Sequence, residues 1–278
     1  NASGDGSAER LEALVRRESW QTWVQVLASM HNGGFAAGNN VVIRKVLAAD
    51  DPPAYVLLLN PDTEPRVGAI SALVDFMEAH PEAGLAGSRL EDPDGTPQRS
   101  AFRFHSILGE LENAVRLGIL TRLLSRWVVA PPVVDHAIHC DWVSGASVIF
   151  RLAVLRDIGT MDEEYFLYFE ETDYCLAARR AGWRCYYVPA SRVMHLVAAS
   201  TGVSSRPCSP RRPAYWFESR RRYFRKNHGK LYALACDVVW IAGFASWRLR
   251  RILQRKPDTD PEHLLKDFIR HSALIKWT

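Results

Sequence analysis

The chain has 278 residues, 47% hydrophobic and 24% charged, which excludes a disordered or fibrous chain and provides for one substantial core with an appendage. Its net charge of +4 conceals an asymmetry: Arg206 to Lys256 holds 14 basic residues against two acids, while the remainder carries 21 against 29. Five cysteines, Cys140, Cys175, Cys185, Cys208 and Cys236, are odd in number and lack C-x-x-C spacing, which argues against a disulfide framework and a zinc ribbon and fits a reducing cytosol. The start at Asn1, with neither an initiator Met nor a signal-peptide pattern, reads as an excerpt of a longer protein.

In chain order, Leu11, Leu14 and Val15 predict a short helix, and Thr22 to Leu27 a strand. Asn32 to Asn40 is glycine-rich and precedes a helix-like run, a setting for backbone N–H groups to approach a phosphate or simply a turn. Ala54 to Leu59 is a continuous apolar run, as in a strand covered on both faces. Ile70, Leu73, Val74 and Met77 recur at helical spacing after Pro65, a residue suited to a first helical turn. Glu91 to Pro97 is dense in turn formers, and Ser106 to Trp127 predicts a helical pair or one interrupted helix. Ile138 to Phe150 reads as a strand broken at Gly145, and Arg151 to Ile158 as a helix stopped by Gly159. Glu170 to Ala181 predicts a helix with Gly182 after it, followed by a strand from Trp183 to Val188. The alternation predicts an α/β layered sheet with right-handed crossovers.

The composition changes after about residue 203. The expected organisation is a domain over 1–203, a Pro- and Ser-rich linker over 204–213, and a basic helical tail over 214–278. In the tail, Arg220, Arg221, Arg222, Arg225 and Lys226 interleave with Trp216, Phe217, Tyr223 and Phe224. Leu231 to Trp247 is apolar apart from Asp237, short for a bilayer span and interrupted by a charge.

Two acidic segments carry potential chemistry. Asp62, in Asn60-Pro61-Asp62, follows a buried-strand pattern and should emerge at the carboxyl edge of a sheet, where an acid can hold a divalent cation or close an Asx turn. Glu170, Glu171 and Asp173 open a helix, which suits the helix dipole; their neighbours Tyr165, Phe166, Tyr168 and Phe169 could instead raise one carboxylate's pKa and fit it to accept a proton. Helical spacing puts Glu170 and Asp173 on one face and turns Glu171 elsewhere. His195 and Trp142 are, alone, as compatible with a core as with a site.

As an ordered series these segments resemble the family 2 glycosyltransferases with the GT-A fold, especially bacterial rhamnosyltransferase-like members. The matching stretches are Asn1 to Ser7, Asn32 to Asn40, Leu58 to Pro65, Trp142 to Ala146, Ile158 to Phe166, Phe169 to Asp173, and His195. The resemblance implies a nucleotide-sugar-binding sheet flanked by helices. It places Asn60-Pro61-Asp62 at the D-x-D motif, with Asp62 and His195 binding Mg²⁺ or Mn²⁺ and Asn60 supporting the donor. It makes Glu171 the catalytic base, with Glu170 and Asp173 beside it at the substrate. Trp142, Gly145 and Ala146 fall where a floor and small residues let sugar and acceptor approach, and Asn1, Asp5, Gly34 and Asn39 fall near the nucleotide.

The family begins with strands absent here, a piece of roughly 40 residues or more, and Ala177 stands where an Arg commonly follows the acidic motif. The implied reaction is an inverting transfer, with rhamnose favoured by general likeness, from a nucleoside-diphosphate sugar to a glycan or lipid-linked acceptor. The tail is expected to lie as a basic amphipathic helix pair on an anionic membrane surface at the cytoplasmic face, or as a solvated basic face packed on the domain. Two alternatives are a noncatalytic remnant and, through the basic aromatic tail alone, a nucleic-acid binder, against which the acidic body argues.

Overall fold

The computed structural model describes residues 1–196 and 211–276. The 204–210 part of the expected linker, and Cys208 with it, lies outside the described residues. Helix α1 (Ser7–Arg17) buries Val15 and leads into an irregular stretch before α2 (Gly34–Leu47). Thr22 to Leu27 alternates like a strand but has no ladder partner among the described residues, so it is not one; Trp23 and Leu27 remain exposed. Alternation specifies a strand only where a neighbouring edge is free to pair.

The central sheet is built from β1 (Tyr55–Leu59), β2 (Thr63–Pro65), β3 (Ala83–Glu91), β7 (Ser147–Arg151) and β8 (Arg184–His195), in the order β1-β7-β3-β8-β2. A short strand β5 (Ile138–Cys140) also pairs with β8, and β4 (Ala101–Phe102) with β6 (Trp142–Val143) forms a separate two-stranded ribbon. Only β3 and β8 run parallel; the other ladders are antiparallel, so the expectation of repeated parallel crossovers gives way to a mixed sheet. The run from Ile138 to Phe150 divides into β5, β6 and β7 rather than one broken strand. Strand β8 extends past the expected Val188 to His195 by a register shift against Ser88 and Arg89, where Pro189 interrupts ordinary pairing. Pro65 sits in β2 opposite Val193 instead of opening α3 (Ala69–Ala79), and Gly68, at φ 82°, precedes that helix. A proline is tolerated on such an edge strand because its missing N–H faces away from the ladder.

One face of the sheet is covered by α2, α6 (Leu152–Ile158) and α7 (Glu170–Arg180), whose Ile43, Val154, Leu155 and Tyr174 pack on Leu58, Leu85 and Phe150. The other face is closed by Leu73 and Met77 of α3 on Ala86, Ile149 and Val188. Between β4 and β5 run α4 (Ile107–Val115), α5 (Gly118–Leu123) and a 3-10 turn over Ser125–Trp127, the break falling at Arg116 with φ 51°. Ser106 caps α4 by accepting from the Gly109 N–H at 3.1 Å.

The C-terminal helices are α8 (Ala214–His228), α9 (Lys230–Leu253) and α10 (Leu264–His271). Tyr223, Phe224, Ala233 and Cys236 join Tyr165, Phe169 and Leu176 in one buried cluster, and Phe217, Trp240, Phe244 and Phe268 form another with Ala114. The basic face expected to meet lipid is thus divided. Arg220 is buried between Glu110 and Asp237, Arg222 pairs with Asp162 at 2.8 Å, and Lys226 pairs with Asp162 and Asp173 at 2.8 and 2.6 Å. Among the described residues no helix is long and apolar enough to cross a membrane.

Candidate active site

The edge at which β1 and β8 end gathers the acidic motifs. Leu59 pairs with Ser147, and the Asn60 N–H donates to the Ala146 carbonyl at 2.9 Å, so the Asn60-Pro61-Asp62 turn lies against the Gly145-Ala146 turn. Thr63 pairs with His195, which brings the two side chains beyond it together: His195 Nε2 lies 3.7 Å from Asp62 Oδ1. Buried Glu91 straps this corner by accepting from Arg66 Nε and Arg192 Nε, both at 2.9 Å.

The tautomer of His195 is fixed by its neighbours. Gln98 Nε2 donates to Asp92 Oδ1 at 2.7 Å and to the His195 carbonyl at 2.9 Å, two groups that only accept, so Gln98 Oε1 is the atom 3.2 Å from His195 Nδ1. His195 therefore carries its proton on Nδ1 and turns the lone pair of Nε2 toward Asp62. Burial lowers its pKa against the raising charges of Asp62 and Asp92, which keeps the ring neutral. A neutral imidazole and a carboxylate converging on one point, the former held by an outer hydrogen bond, are a donor set that fits a divalent cation. Among the described residues no third His, Cys, Asp or Glu joins them, so remaining positions would fall to phosphate and water. Neither Gln98 nor Asp92 was found from sequence, because their pairing with His195 exists only after β8 closes on the 91–98 turn.

The second half of the site opens α7. Tyr168 and Phe169 both adopt left-handed backbone, φ 70° and 69°, a conformation that costs non-glycine residues roughly 1–2 kcal/mol each. They are held there by aromatic packing: Phe169 lies 4.9 Å from His105 and 5.7 Å from Tyr223, and Tyr168 stacks at 6.2 Å on Tyr215. The turn delivers Glu170 and Glu171 inward. Oε2 of each is sealed from solvent and has no hydrogen-bond partner, although Glu171 keeps some exposed surface elsewhere.

Glu171 shares an apolar pocket with Phe35, Leu58, Gly145, Val148 and Phe150. Burial pushes its pKa from 4.5 up to about 7, and burial with the charge of Glu171 pushes Glu170 well above the carboxylate range. Burial can shift a carboxyl by 3–5 units, whereas a helix N-terminus contributes about 0.3–1 kcal/mol the other way, so burial wins. The two glutamates thus form the close pair. Asp173, three residues on from Glu170 in the same helix, is held by Lys226 Nζ at 2.6 Å and Asn227 Nδ2 at 2.5 Å on α8.

The sequence model of glycosyltransferase-like family 2 matches residues 5–229. The chain belongs to that family. N-acetylglucosaminyl-diphospho-decaprenol L-rhamnosyltransferase of Mycobacterium tuberculosis is 31% identical over 211 residues, covering 73% of this chain and 66% of that protein. Rhamnosyltransferase WbbL of Escherichia coli is 27% identical over 167 residues, covering 58% and 60%. The chain thus spans about two thirds or less of the length of these relatives. Among solved structures, GalNAc-T7 with UDP, GalNAc and Mn²⁺ superposes over 100% of this chain and 49% of its own, with a TM-score of 0.57 at 12% identity, which shows a shared GT-A fold.

The family 2 match reaches through α8, the helix that braces the acidic turn. The remaining expected site residues are placed as follows. Trp142 donates its indole N–H to the Arg103 carbonyl at 2.9 Å and stacks on Phe102 at 4.1 Å. A Cβ on Gly145 would stand 2.9 Å from the Phe35 ring, so Phe35 occupies the space that this glycine opens. Ala146 is core, packed with Ala69, Leu90 and Val193. Gly34 lies under the Phe166 carbonyl, where a Cβ would meet oxygen at 1.8 Å. Asn1 Nδ2 donates to the Gly34 carbonyl at 2.9 Å, and Asn39 Nδ2 to the Phe35 carbonyl at 2.9 Å. Asp5 is exposed and accepts from the Ser7 N–H and hydroxyl at the start of α1.

Proposed function

We propose that this family 2 chain transfers a sugar, rhamnose in the first instance, from a nucleoside diphosphate to a hydroxyl of a lipid-linked or glycan acceptor with inversion at the anomeric carbon. The observation that carries the reading is the sealed Glu170–Glu171 pair at the same sheet edge as the Asp62–His195 corner. Leu58 and Gly145, which wall the Glu171 pocket, are each within two residues of the backbone bond joining Asn60 to Ala146. The choice of rhamnose rests on the names of the two relatives.

Glu171 is the base. With its pKa near the working pH, and with part of its side chain still exposed, it accepts the acceptor's hydroxyl proton. Burial and the neighbouring charge of Glu171 push the pKa of Glu170 well above its ordinary value, which disfavours a second negative charge beside the base. Asn60 and the Gly145-Ala146 turn position the sugar, and Asp173 acts through α8 as a tether. Asp62 and His195 would hold Mg²⁺ or Mn²⁺, which when bound offsets charge on the departing diphosphate. The acceptor side faces an anionic bilayer at the cytoplasmic surface, where the free thiols Cys140, Cys175, Cys185 and Cys236 accord with a reducing compartment.

The test is diphosphate release across a panel of nucleotide sugars, with donor binding followed by calorimetry. Glu171→Gln should bind donor normally and turn over about 10²–10⁴ times more slowly. Asp62→Ala should lose Mn²⁺-dependent donor binding. Near-normal turnover by Glu171→Gln would remove the base assignment.

A further inference from the structure

A cavity of about 1120 Å³ lies outside the Asp62–His195 corner, between the β4–β6 ribbon, the α4–α5 turn and the start of α8. Its charge is one-sided. Arg99, Arg103, Arg122, Arg126 and Arg212 line it, against two carboxylates that are both engaged. Glu110 is taken by Arg220 and His105, and Glu112 accepts from the Thr121 hydroxyl at 2.8 Å.

The arginines are not neutralised. Arg99, Arg122 and Arg126 have neither an ion pair nor a hydrogen-bond acceptor among the described residues, and Arg212 Nε is sealed from solvent without one. The Arg212 guanidinium lies 4.3 Å over Trp216, and burial together with the like charge of Arg116 lowers its pKa. Only Arg212 is largely withdrawn from water, while Arg99, Arg122 and Arg126 stand exposed at the cavity's mouth, so the void carries an excess of positive charge that a bound anion would offset.

The walls add shape to the charge. Trp142 and Phe169 line the cavity, and Phe169 is the residue before Glu170, so one end adjoins the acid pair. Gly118, Thr121 and Arg122 of α5 form part of the rim, beside exposed Ile119 and Leu123. Aromatic rings suit a sugar or an isoprenoid, and forked guanidinium groups suit phosphate oxygens.

We propose that this cavity seats the diphosphate of the acceptor, a sugar carried on a prenyl diphosphate, with the sugar toward Glu171 and the prenyl chain leaving over α5. The assignment of the anion to an acceptor rests on the glycosyl-transfer reading, whereas an arginine-built anion site would stand without it. A diphosphate could equally come from the nucleotide donor, so the two sources must be separated.

The experiment titrates the full chain with N-acetylglucosaminyl diphosphoryl farnesol, following tryptophan fluorescence from Trp142 and Trp216, and repeats it with the uncharged farnesyl glycoside and with UDP. Saturable binding of the diphosphate, weakened at least tenfold in Arg122→Gln/Arg126→Gln and in Arg212→Gln, absent for the glycoside and undisturbed by saturating UDP and Mn²⁺, is expected. Unchanged affinity in the Arg122/Arg126 variant, whose side chains are exposed and unneeded for folding, would overturn the proposal, as would complete displacement by UDP. Because binding is the readout, a chain without transferase activity that still shows arginine-dependent binding would sink the catalytic reading and leave the anion site standing.

Discussion

Glu171 holds its proton to about pH 7 because the walls around it, Phe35, Leu58, Val148 and Phe150, solvate a carboxylate poorly. The same shift that prepares it for proton transfer costs stability. Below 4.5 the side chain is protonated in both folded and unfolded chains and contributes nothing. Between 4.5 and about 7 the unfolded chain ionises first, so stability falls as pH rises, and above 7 the deficit is constant. Glu171→Gln should therefore raise unfolding free energy by about 1–3 kcal/mol at pH 8 and leave it unaltered at pH 4, measured by urea denaturation at the two pH values. Activity should move oppositely, the rate rising with pH to a plateau through an apparent pKa near 7. A variant no more stable than the parent at pH 8 would show that water reaches the carboxylate. That some carboxylate of this acid run could be raised was legible from its aromatic neighbours, whereas the choice of Glu171 came only from the family resemblance. Its pairing with Glu170 was not legible, because helical spacing alone ignores Lys226 and Asn227, which tie Asp173 to another element.

At the scale of elements, helix α8 braces the active turn, and its hold depends on Arg220. That guanidinium donates to Glu110 of α4 and to Asp237 of α9, and all three are buried. Burial would raise Glu110, but the charge of Arg220 and the hydrogen bond from His105 bring it down to about 2. Its contribution is thus present above its ordinary 4.5 and is lost as pH falls toward 2. Removing the cation strands two carboxylates in a dry interface, so Arg220→Met should cost about 3–5 kcal/mol in chemical denaturation at pH 7, with a smaller loss at pH 3. A cost below 1 kcal/mol would show that the pair is hydrated or that α8 docks by its aromatic residues alone. Sequence periodicity revealed α8 as a basic aromatic helix, and it revealed α3, α6 and α7 by the same rule. It could not tell which arginines face acids, since Glu110 stands 110 positions from Arg220. Strands were less legible than helices: Thr22 to Leu27 has the pattern and lacks an edge, while Pro65 lacks the pattern and finds one.

For the whole molecule, no helix among the described residues is long and apolar enough to cross a membrane, so the proposed lipid-linked acceptor would have to be met from the surface. Arg250 donates to the Val115 carbonyl, and Arg116 pairs with Asp260 at 2.7 Å, which locks the end of α9 beside α5. Leu249, Ile252 and Leu253 on α9 and Ile119 and Leu123 on α5 are exposed, between 60% and 74% of their surface each. Arg122 on α5, Arg126 in the 3-10 turn after it, and Arg255 and Lys256 just past the end of α9 are exposed as well. Exposed apolar side chains with cations nearby in sequence favour insertion into an anionic interface, with each cation near the surface worth about 1 kcal/mol. The chain should sediment with vesicles containing anionic phospholipid and not with neutral ones, and binding should weaken as salt rises, because charges more than about 10 Å apart are screened at 0.1 M. Replacing Ile252 and Leu253 by Ser should reduce binding at every salt concentration, whereas Arg255→Gln with Lys256→Gln should reduce it chiefly at low salt. Equal binding to neutral and anionic vesicles would retire the charged surface, and salt-sensitive binding untouched by the Ser pair would move the contact elsewhere on the molecule.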